Sequence, residues 1–388
     1  MRVNIIILDG VGVGSLPDAK SYNDEGSNTI GNLAKKVGGL SLPNLQKLGL
    51  GNIIEIKGIP PASTPVASYA KLAEVSYGKD STSGHWELCG VILNRPFPVY
   101  SKFPPEIISK FEKKIKRKTI GNLRASGTEI IKELGEEHIK TGYPIVYTSA
   151  DSVFQLAAHE DIIPVNQLYD YCLIAREILK GKWSVARVIA RPFTGEVGDF
   201  KRTERRKDFS LPPPSATLLD VLNRAKVPVI GLGKIDDIFA NRGLTESYHT
   251  VDNLKCMDYI IEMMGRLKSG LVISNLVEFD MVWGHRNNSN GFYKGLKDFD
   301  NWLAKLETKI EEEDIVIITA DHGCDPTTPS TDHSREYAPL LIFGEKVSEG
   351  VNLGIRNSFA DVGKTVGEIF RVKNNLCGES FLCKILKN

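Results

Sequence analysis

Three aspartates and three histidines stand out by type and spacing: Asp9, Asp280 with His285, and Asp321-His322 with His333. The chain holds only seven histidines in 388 residues, yet these three lie close together beside aspartates. Each of the three aspartates follows a run of strand-like apolar residues. Mixed imidazole and carboxylate donors suit Zn²⁺ or Mn²⁺ better than Ca²⁺. Six such donors suffice for two metal ions, so the residue types predict a two-metal phosphoryl-transfer site. An aspartate after a strand commonly does no more than cap the next helix. That account would need several polar coincidences at one sheet edge.

Hydroxyls supply the next chemistry. Lys79-Asp80-Ser81-Thr82-Ser83-Gly84-His85-Trp86-Glu87 carries three in a row. Ser and Thr there could simply cap a solvated helix N-terminus. Beside metals, one of them becomes a candidate nucleophile, because a hydroxyl needs a base or metal to react near neutral pH. A helix N-terminus also helps hold an incoming phosphate. The glycines of Asp9-Gly10-Val11-Gly12-Val13-Gly14-Ser15 do not make a dinucleotide fingerprint. Counting from Gly10, the sixth place holds Ser15, and Asp9 would repel a pyrophosphate. They are expected to let the backbone turn tightly beside a metal. Arg187, Arg191, Arg202, Arg205 and Arg206, with Lys234, could grip a phosphate, since guanidinium forks match its oxygens. Most of that set is expected to be a solvated basic face. His138, His159 and His249 have no ligand partner at useful spacing and are expected to be structural. Cys324 follows Asp321-His322-Gly323, but hard donors around it argue against a thiolate ligand.

These residues need a frame. Val3–Leu8 is nearly all apolar, as expected for a strand buried on both faces. Gly270–Phe279, closed by Asp280, is a second expected strand. Ile315–Thr319, Pro339–Phe343 and Val227–Ile230 are three more. Helical patterns fall at Thr29–Lys36, Leu218–Ala225, Asp252–Leu267 and Phe299–Glu312. This alternation predicts an α/β core with a mostly parallel sheet sandwiched by helices. Ligands of such sheets bind outside the carboxyl ends of the strands, where Asp9, Asp280 and Asp321 fall. The stretch from Pro96 to Pro214 is less regular and bordered by prolines, as domain linkers are. It predicts an inserted α+β cap over residues 96–214, with the metal-binding core in 1–95 and 215–388. Ile145–Thr148 and Val185–Ala190 are expected strands of the cap, and Asn166–Leu179 an expected helix.

Composition narrows the class. Apolar content of 41% and charged content of 25% are ordinary for a globular protein. A net charge of +1 gives no argument for nucleic acid or membrane binding. No apolar run approaches a membrane span. The six scattered cysteines form no CxxC pair and are expected to be reduced thiols of a cytoplasmic protein.

The chain closely resembles the prokaryotic phosphopentomutases, a family of the alkaline phosphatase superfamily. The resemblance covers its whole length. It rests on Asp9-Gly10-Val11-Gly12, Lys79-Asp80-Ser81, Gly84-His85-Trp86-Glu87, Thr148-Ser149-Ala150-Asp151-Ser152 and Ala190-Arg191-Pro192-Phe193. It continues through Gly231-Leu232-Gly233-Lys234-Ile235, Asp280-Met281-Val282-Trp283-Gly284-His285 and Thr319-Ala320-Asp321-His322-Gly323. It implies an alkaline-phosphatase-like core and interconversion of ribose 1-phosphate, or deoxyribose 1-phosphate, with the 5-phosphate. It implies two Mn²⁺ ions, one held by Asp9, Asp321 and His322, the other by Asp280, His285 and His333. The phosphorylated position of the family is usually a Thr. Here the matching residue is Ser81, with Thr82 and Ser83 adjacent. Asp151, Arg187, Arg202 and Lys234 match the family's substrate contacts. A sugar bisphosphate activator, ribose 1,5-bisphosphate or glucose 1,6-bisphosphate, is implied to prime the nucleophile, and closure of the cap to exclude water. A phosphatase and a cofactor-independent phosphoglycerate mutase of the same superfamily are the rival expectations.

Overall fold

The computed structural model describes residues 1–149 and 151–387; Ala150, from the Thr148–Ser152 motif, and Asn388 lie outside the described residues. The chain divides into two compact units, Met1–Arg95 with Pro213–Asn388, and Pro96–Pro212.

The first unit is built on an eight-stranded sheet. Its spatial order is Glu246–His249, Val229–Gly233, Gly270–Leu276, Arg2–Leu8, Ile315–Thr319, Ala338–Phe343, Ser68–Leu72 and Asn352–Arg356. The first five strands pair in parallel. Ala338–Phe343 runs antiparallel to both of its neighbours, and Asn352–Arg356 pairs in parallel with Ser68–Leu72. Every residue of the central strands Arg2–Leu8, Gly270–Leu276 and Ile315–Thr319 is buried. Burial on both faces is why their sequences read as nearly continuous apolar runs, interrupted only at positions such as Asn4, Ser274 and Asn275. Three strands of this sheet went unread in the sequence: Ser68–Leu72, Glu246–His249 and Asn352–Arg356. They lie towards the two sides of the sheet and are partly exposed, which weakens the apolar signal.

Register sets the position of the aspartates. Leu8 pairs with Leu276, and Ile7 with Thr319, so these three strands end at nearly one level. Asp9 follows Leu8 directly and Asp321 stands just beyond Thr319. Asp280 differs from expectation. The strand stops at Leu276 rather than at Phe279, and Asp280 sits in a π-type helical turn, Phe279–Trp283. Val277 and Phe279 stay buried in the turn, so hydrophobicity does not mark the end of the strand. One helix also shifts. The expected Phe299–Glu312 segment is Ser289–Glu307, started by Asn288, whose side chain accepts from the Gly291 N–H. It ends before Glu311-Glu312-Glu313, where negative charge would oppose the helix dipole.

The second unit has its own sheet and core. Five strands run in the order Ile120–Arg124, Ile145–Thr148, Val153–His159, Arg187–Thr194 and Lys201–Arg202, and Lys207–Ser210 also pairs with Arg187–Thr194. Phe111, Phe154, Leu168 and Cys172 belong to one apolar cluster, Ile130, Ile145, Tyr147 and Phe193 to another. His138 and His159 are structural here: His138 Nε2 accepts the His159 N–H at 2.9 Å.

Candidate two-metal phosphoryl-transfer site

The first donor set gathers where two parallel strands end. His322 Nε2 lies 3.2 Å from Asp9 Oδ1 and 3.3 Å from Asp321 Oδ2. All three residues are buried. His322 Nδ1 lies 3.0 Å from the Gly323 carbonyl, so the ring proton belongs there and Nε2 is left as a donor. The second set is arranged alike. Asp280 Oδ2 lies 3.2 Å from His285 Nε2, and Asp280 Oδ1 lies 3.2 Å from His333 Nε2. His285 Nδ1 rests 2.7 Å from the Thr331 carbonyl, which again presents Nε2 inward. The two sets meet through neighbouring imidazoles, with His322 and His333 ring centres 4.1 Å apart and their planes tilted by 33°.

These residues fit metal ions. Bonds of about 2.1 Å at tetrahedral or octahedral angles place donor atoms about 3.0–3.4 Å apart, the spacing of His322 from Asp9 and Asp321 and of Asp280 from His285 and His333. Asp9, Asp321 and His322 converge as one group, whereas Asp280 groups with His322 and His333 and, separately, with His285 and Cys324. Asp280 Oδ1, Asp321 Oδ2 and His333 Nε2 are buried and make no well-aligned hydrogen bond, although imidazole or carboxylate atoms lie within 3.3 Å of each, an expensive arrangement unless a cation satisfies them. The electrostatics agree. Burial pushes the Asp9 carboxyl up, and the Asp321 carboxylate adds to the shift. Burial opposes ionisation of Asp321 too, but His322 and His85 outweigh it and bring that carboxyl down to about 2. Asp280, likewise buried, is held well below the usual carboxylate range by His333 and His285. Burial works against His322, yet Asp321 and Asp9 raise it well above an ordinary imidazole. Protons thus neutralise charge where divalent cations would displace them.

Ser81 opens the Ser81–Leu88 helix. Asp80 caps that helix, accepting from the Thr82 and Ser83 N–H groups at 3.0 and 3.1 Å. The Ser81 hydroxyl lies 3.1 Å from His322 Nε2 and donates to Asp9 Oδ1 at 3.4 Å. Ser83 Oγ is committed elsewhere, donating to Glu74 Oε1. The helix comes close because Gly84 has no side chain: a Cβ there would lie 2.0 Å from the Asp321 carbonyl oxygen. Gly10, at φ +75°, makes the expected tight turn, and its N–H donates to Asp321 Oδ1 at 3.1 Å.

Several supporting residues escaped sequence reasoning. Glu87 accepts from the Val75, Ser76 and Phe359 N–H groups and the Ser358 hydroxyl. Trp86 Nε1 donates to the Ile238 carbonyl. Arg335 is buried, pairs with Glu74 at 2.7 Å and donates to the Ser76 and Gly78 carbonyls, bracing the segment that leads to Ser81. Lys79 bridges Asp24 and Asp332, the neighbour of His333. Asn275 and His85 also lie at the first donor set. The sequence signals for these were membership of the Gly84–Glu87 motif and, for Lys79, of the Lys79-Asp80-Ser81 motif.

Of the remaining expected residues, Lys234 belongs to the first unit, and Asp151 and the arginines to the second. Lys234 follows the Val229–Gly233 strand, with Nζ 3.4 Å from Met281 Sδ. In the second unit Arg187 pairs with Asp151 at 3.4 Å, and Arg202 is exposed on Lys201–Arg202. Arg205 and Arg206 pair with Glu160 and Asp208. Cys324 Sγ falls near the donor atoms of Asp280 and His285, but burial and the Asp280 carboxylate push its thiol well up. His249 does have acidic neighbours, contrary to expectation: Nδ1 lies 3.0 Å from Asp236 and 3.8 Å from Asp237. Both come from the turn after the Val229–Gly233 strand, a juxtaposition that sequence spacing hides.

The model of the metalloenzyme superfamily matches residues 1–374. The phosphopentomutase of Dictyoglomus thermophilum is 61% identical over 385 residues, covering 99% of this chain and 98% of that one. The phosphopentomutase of Acetivibrio thermocellus is 57% identical over 386 residues, covering 99% and 100%. A solved phosphoglycerate mutase of Leishmania mexicana, 14% identical, shares the fold with a TM-score of 0.50 over 98% of this chain and 97% of that one. The superfamily match and the shared fold bear out the expected alkaline-phosphatase-like class. With more than half of its residues identical to these relatives over nearly its full length, the chain belongs to the phosphopentomutase family of the metalloenzyme superfamily.

Proposed function

We propose that this chain interconverts α-D-ribose 1-phosphate and D-ribose 5-phosphate, and the 2-deoxyribose counterparts, through a phosphoserine at Ser81. The observation that carries this reading is the Ser81 hydroxyl, 3.1 Å from His322 Nε2 and 3.4 Å from Asp9 Oδ1, in a chain 61% identical to a phosphopentomutase. Asp9, Asp321 and His322 would hold one Mn²⁺, and Asp280, His285 and His333 the other. When bound, such ions neutralise charge on the transferring phosphoryl group and on the oxygens either side of it.

The chain's own groups supply the rest. Phosphoserine 81 donates its phosphoryl group to the free hydroxyl of a bound pentose monophosphate. The hydroxyl oxygen forms the new P–O bond, the bond from phosphorus to Ser81 Oγ breaks with its electron pair going to Oγ, and the hydroxyl's proton ends on Ser81 Oγ, which leaves as a serine hydroxyl. The bisphosphate then turns and returns its other phosphate to Ser81. The N-terminus of the Ser81–Leu88 helix favours the phosphate charge there. We assign to Asp151, Arg187, Arg202 and Lys234 the binding of the pentose and its phosphates. Ribose 1,5-bisphosphate or glucose 1,6-bisphosphate would prime the serine. Six free thiols and the absence, among the described residues, of a helix long and apolar enough to cross a membrane support a cytoplasmic setting.

The test is a ribose 1-phosphate to ribose 5-phosphate assay with Mn²⁺ and the primer, with mass spectrometry of the active-site peptide. Ser81→Ala should abolish turnover and peptide-bound phosphate. Phosphate still found on that peptide would reject Ser81. Release of free phosphate in place of ribose 5-phosphate would make the chain a phosphatase.

A further inference from the structure

We propose that Asn275 and His85 are positioning residues, a two-residue hydrogen-bond relay that aims the Asp9, Asp321 and His322 donor set at Ser81. The inference rests on the metal reading of that set. Asn275 is near the end of the Gly270–Leu276 strand and His85 is inside the Ser81–Leu88 helix. Both are buried. The Asn275 amide nitrogen lies 3.1 Å from Asp9 Oδ2 and 2.8 Å from His85 Nε2. Its two hydrogens serve both. The carboxylate fixes the orientation of the amide, because the reverse would set two oxygens against each other. His85 Nε2 must then accept, which puts the ring proton on Nδ1. Nδ1 faces the Ser81 carbonyl at 2.8 Å and Asp321 Oδ2 at 3.1 Å.

The relay therefore reaches three parts of the site from a strand and a helix. It occupies Asp9 Oδ2 and leaves Oδ1 turned to His322 and the Ser81 hydroxyl. It also holds the backbone of Ser81 against Asp321. The helix does not need it as an anchor. Asp80 caps its first turn, and Trp86 and Glu87 tie its last turn to Ile238 and to residues 358–359. The relay's distinct contribution is the aim of ligand oxygens. Outer partners of this kind typically change metal affinity or activity about 10–100-fold.

Mn²⁺ titration of the metal-free chain, followed by calorimetry, tests the inference without relying on turnover. Wild type should bind two equivalents. Asn275→Ala removes the bridge. His85→Asn keeps a donor near the Ser81 carbonyl but not the acceptor facing Asn275. In both variants one Mn²⁺ step should weaken by about 10–100-fold while the other stays at wild-type strength. In the pentose phosphate assay kcat should fall with KM nearly unchanged. A merely structural role would lower the melting temperature of the metal-free chain and leave both Mn²⁺ steps intact; that result overturns the relay. If Asn275→Ala does not fold, His85→Asn decides. If wild type binds no Mn²⁺, the metal reading itself fails and takes the relay with it.

Discussion

Gly84→Ala would test the close approach on which the proposed nucleophile, Ser81, depends. Gly84 is in the Ser81–Leu88 helix and is not in the left-handed region, so the effect is steric. An added Cβ would lie 2.0 Å from the Asp321 carbonyl oxygen, 2.7 Å from its carbon and 3.0 Å from Asp321 Cβ. Contacts under 3.0 Å are not tolerated, and the obstacle is buried backbone that cannot swing away. Helix and Asp321 must part by about 1 Å, the difference between 3.0 and 2.0 Å. Alanine returns about 1 kcal/mol of helix propensity over glycine, against about 1–3 kcal/mol for overpacking. The variant should fold, with a net loss of about 0–2 kcal/mol. Ser81 moves with the helix, so its contacts to His322 and Asp9 open towards about 4 Å, and a misplacement of this size costs about 10²-fold in rate. Turnover of ribose 1-phosphate and the unfolding midpoint should be measured together. Wild-type kcat in Gly84→Ala would refute the reasoning, and so would a chain that no longer folds.

Other outcomes follow from buried groups around the site. Glu87→Gln must turn an amide NH₂ onto a backbone N–H that Glu87 now accepts, so urea unfolding should show a loss of about 1–3 kcal/mol; an unchanged midpoint would dismiss the tether. Arg335→Met strands the buried Glu74 carboxylate and should cost about 3–5 kcal/mol, with Glu74→Gln restoring part of it in the double variant. Simple additivity of the two changes would show that the pair is not coupled. Burial pushes Glu336 up to about 7, although the Thr29 N–H and the Ser334 hydroxyl pull it down. Its folded pKa exceeds the unfolded value of 4.5, so the folded chain binds more protons between them. Stability should therefore fall as pH rises from about 4.5 to 7, by about 3 kcal/mol in total. Glu336→Gln should flatten that slope in unfolding free energies taken across the range, and a slope equal to wild type would contradict the assignment.

Much of the frame was legible in the sequence because burial on both faces of a parallel strand writes a nearly continuous apolar run. Arg2–Leu8 and Ile315–Thr319 lie within a residue of where those runs fall. Donor chemistry was legible too, since carboxylate and imidazole state their hardness by type alone. The limits of those signals are equally physical. Val277 and Phe279 are as apolar in a helical turn as in a strand, so only the backbone shows the strand stopping at Leu276. Three adjacent hydroxyls share one composition, but helix geometry sends Ser83 to Glu74 and Ser81 to His322. The Gly84–Glu87 motif was recognisable as a string, yet its parts do different jobs. Gly84 admits the Asp321 carbonyl, His85 meets Asn275, Trp86 reaches Ile238, and Glu87 holds two distant segments. Local pattern records which face a residue shows to the core. It does not record which residue, hundreds of positions away, completes a hydrogen bond there, and that is decided only when the strands come into register.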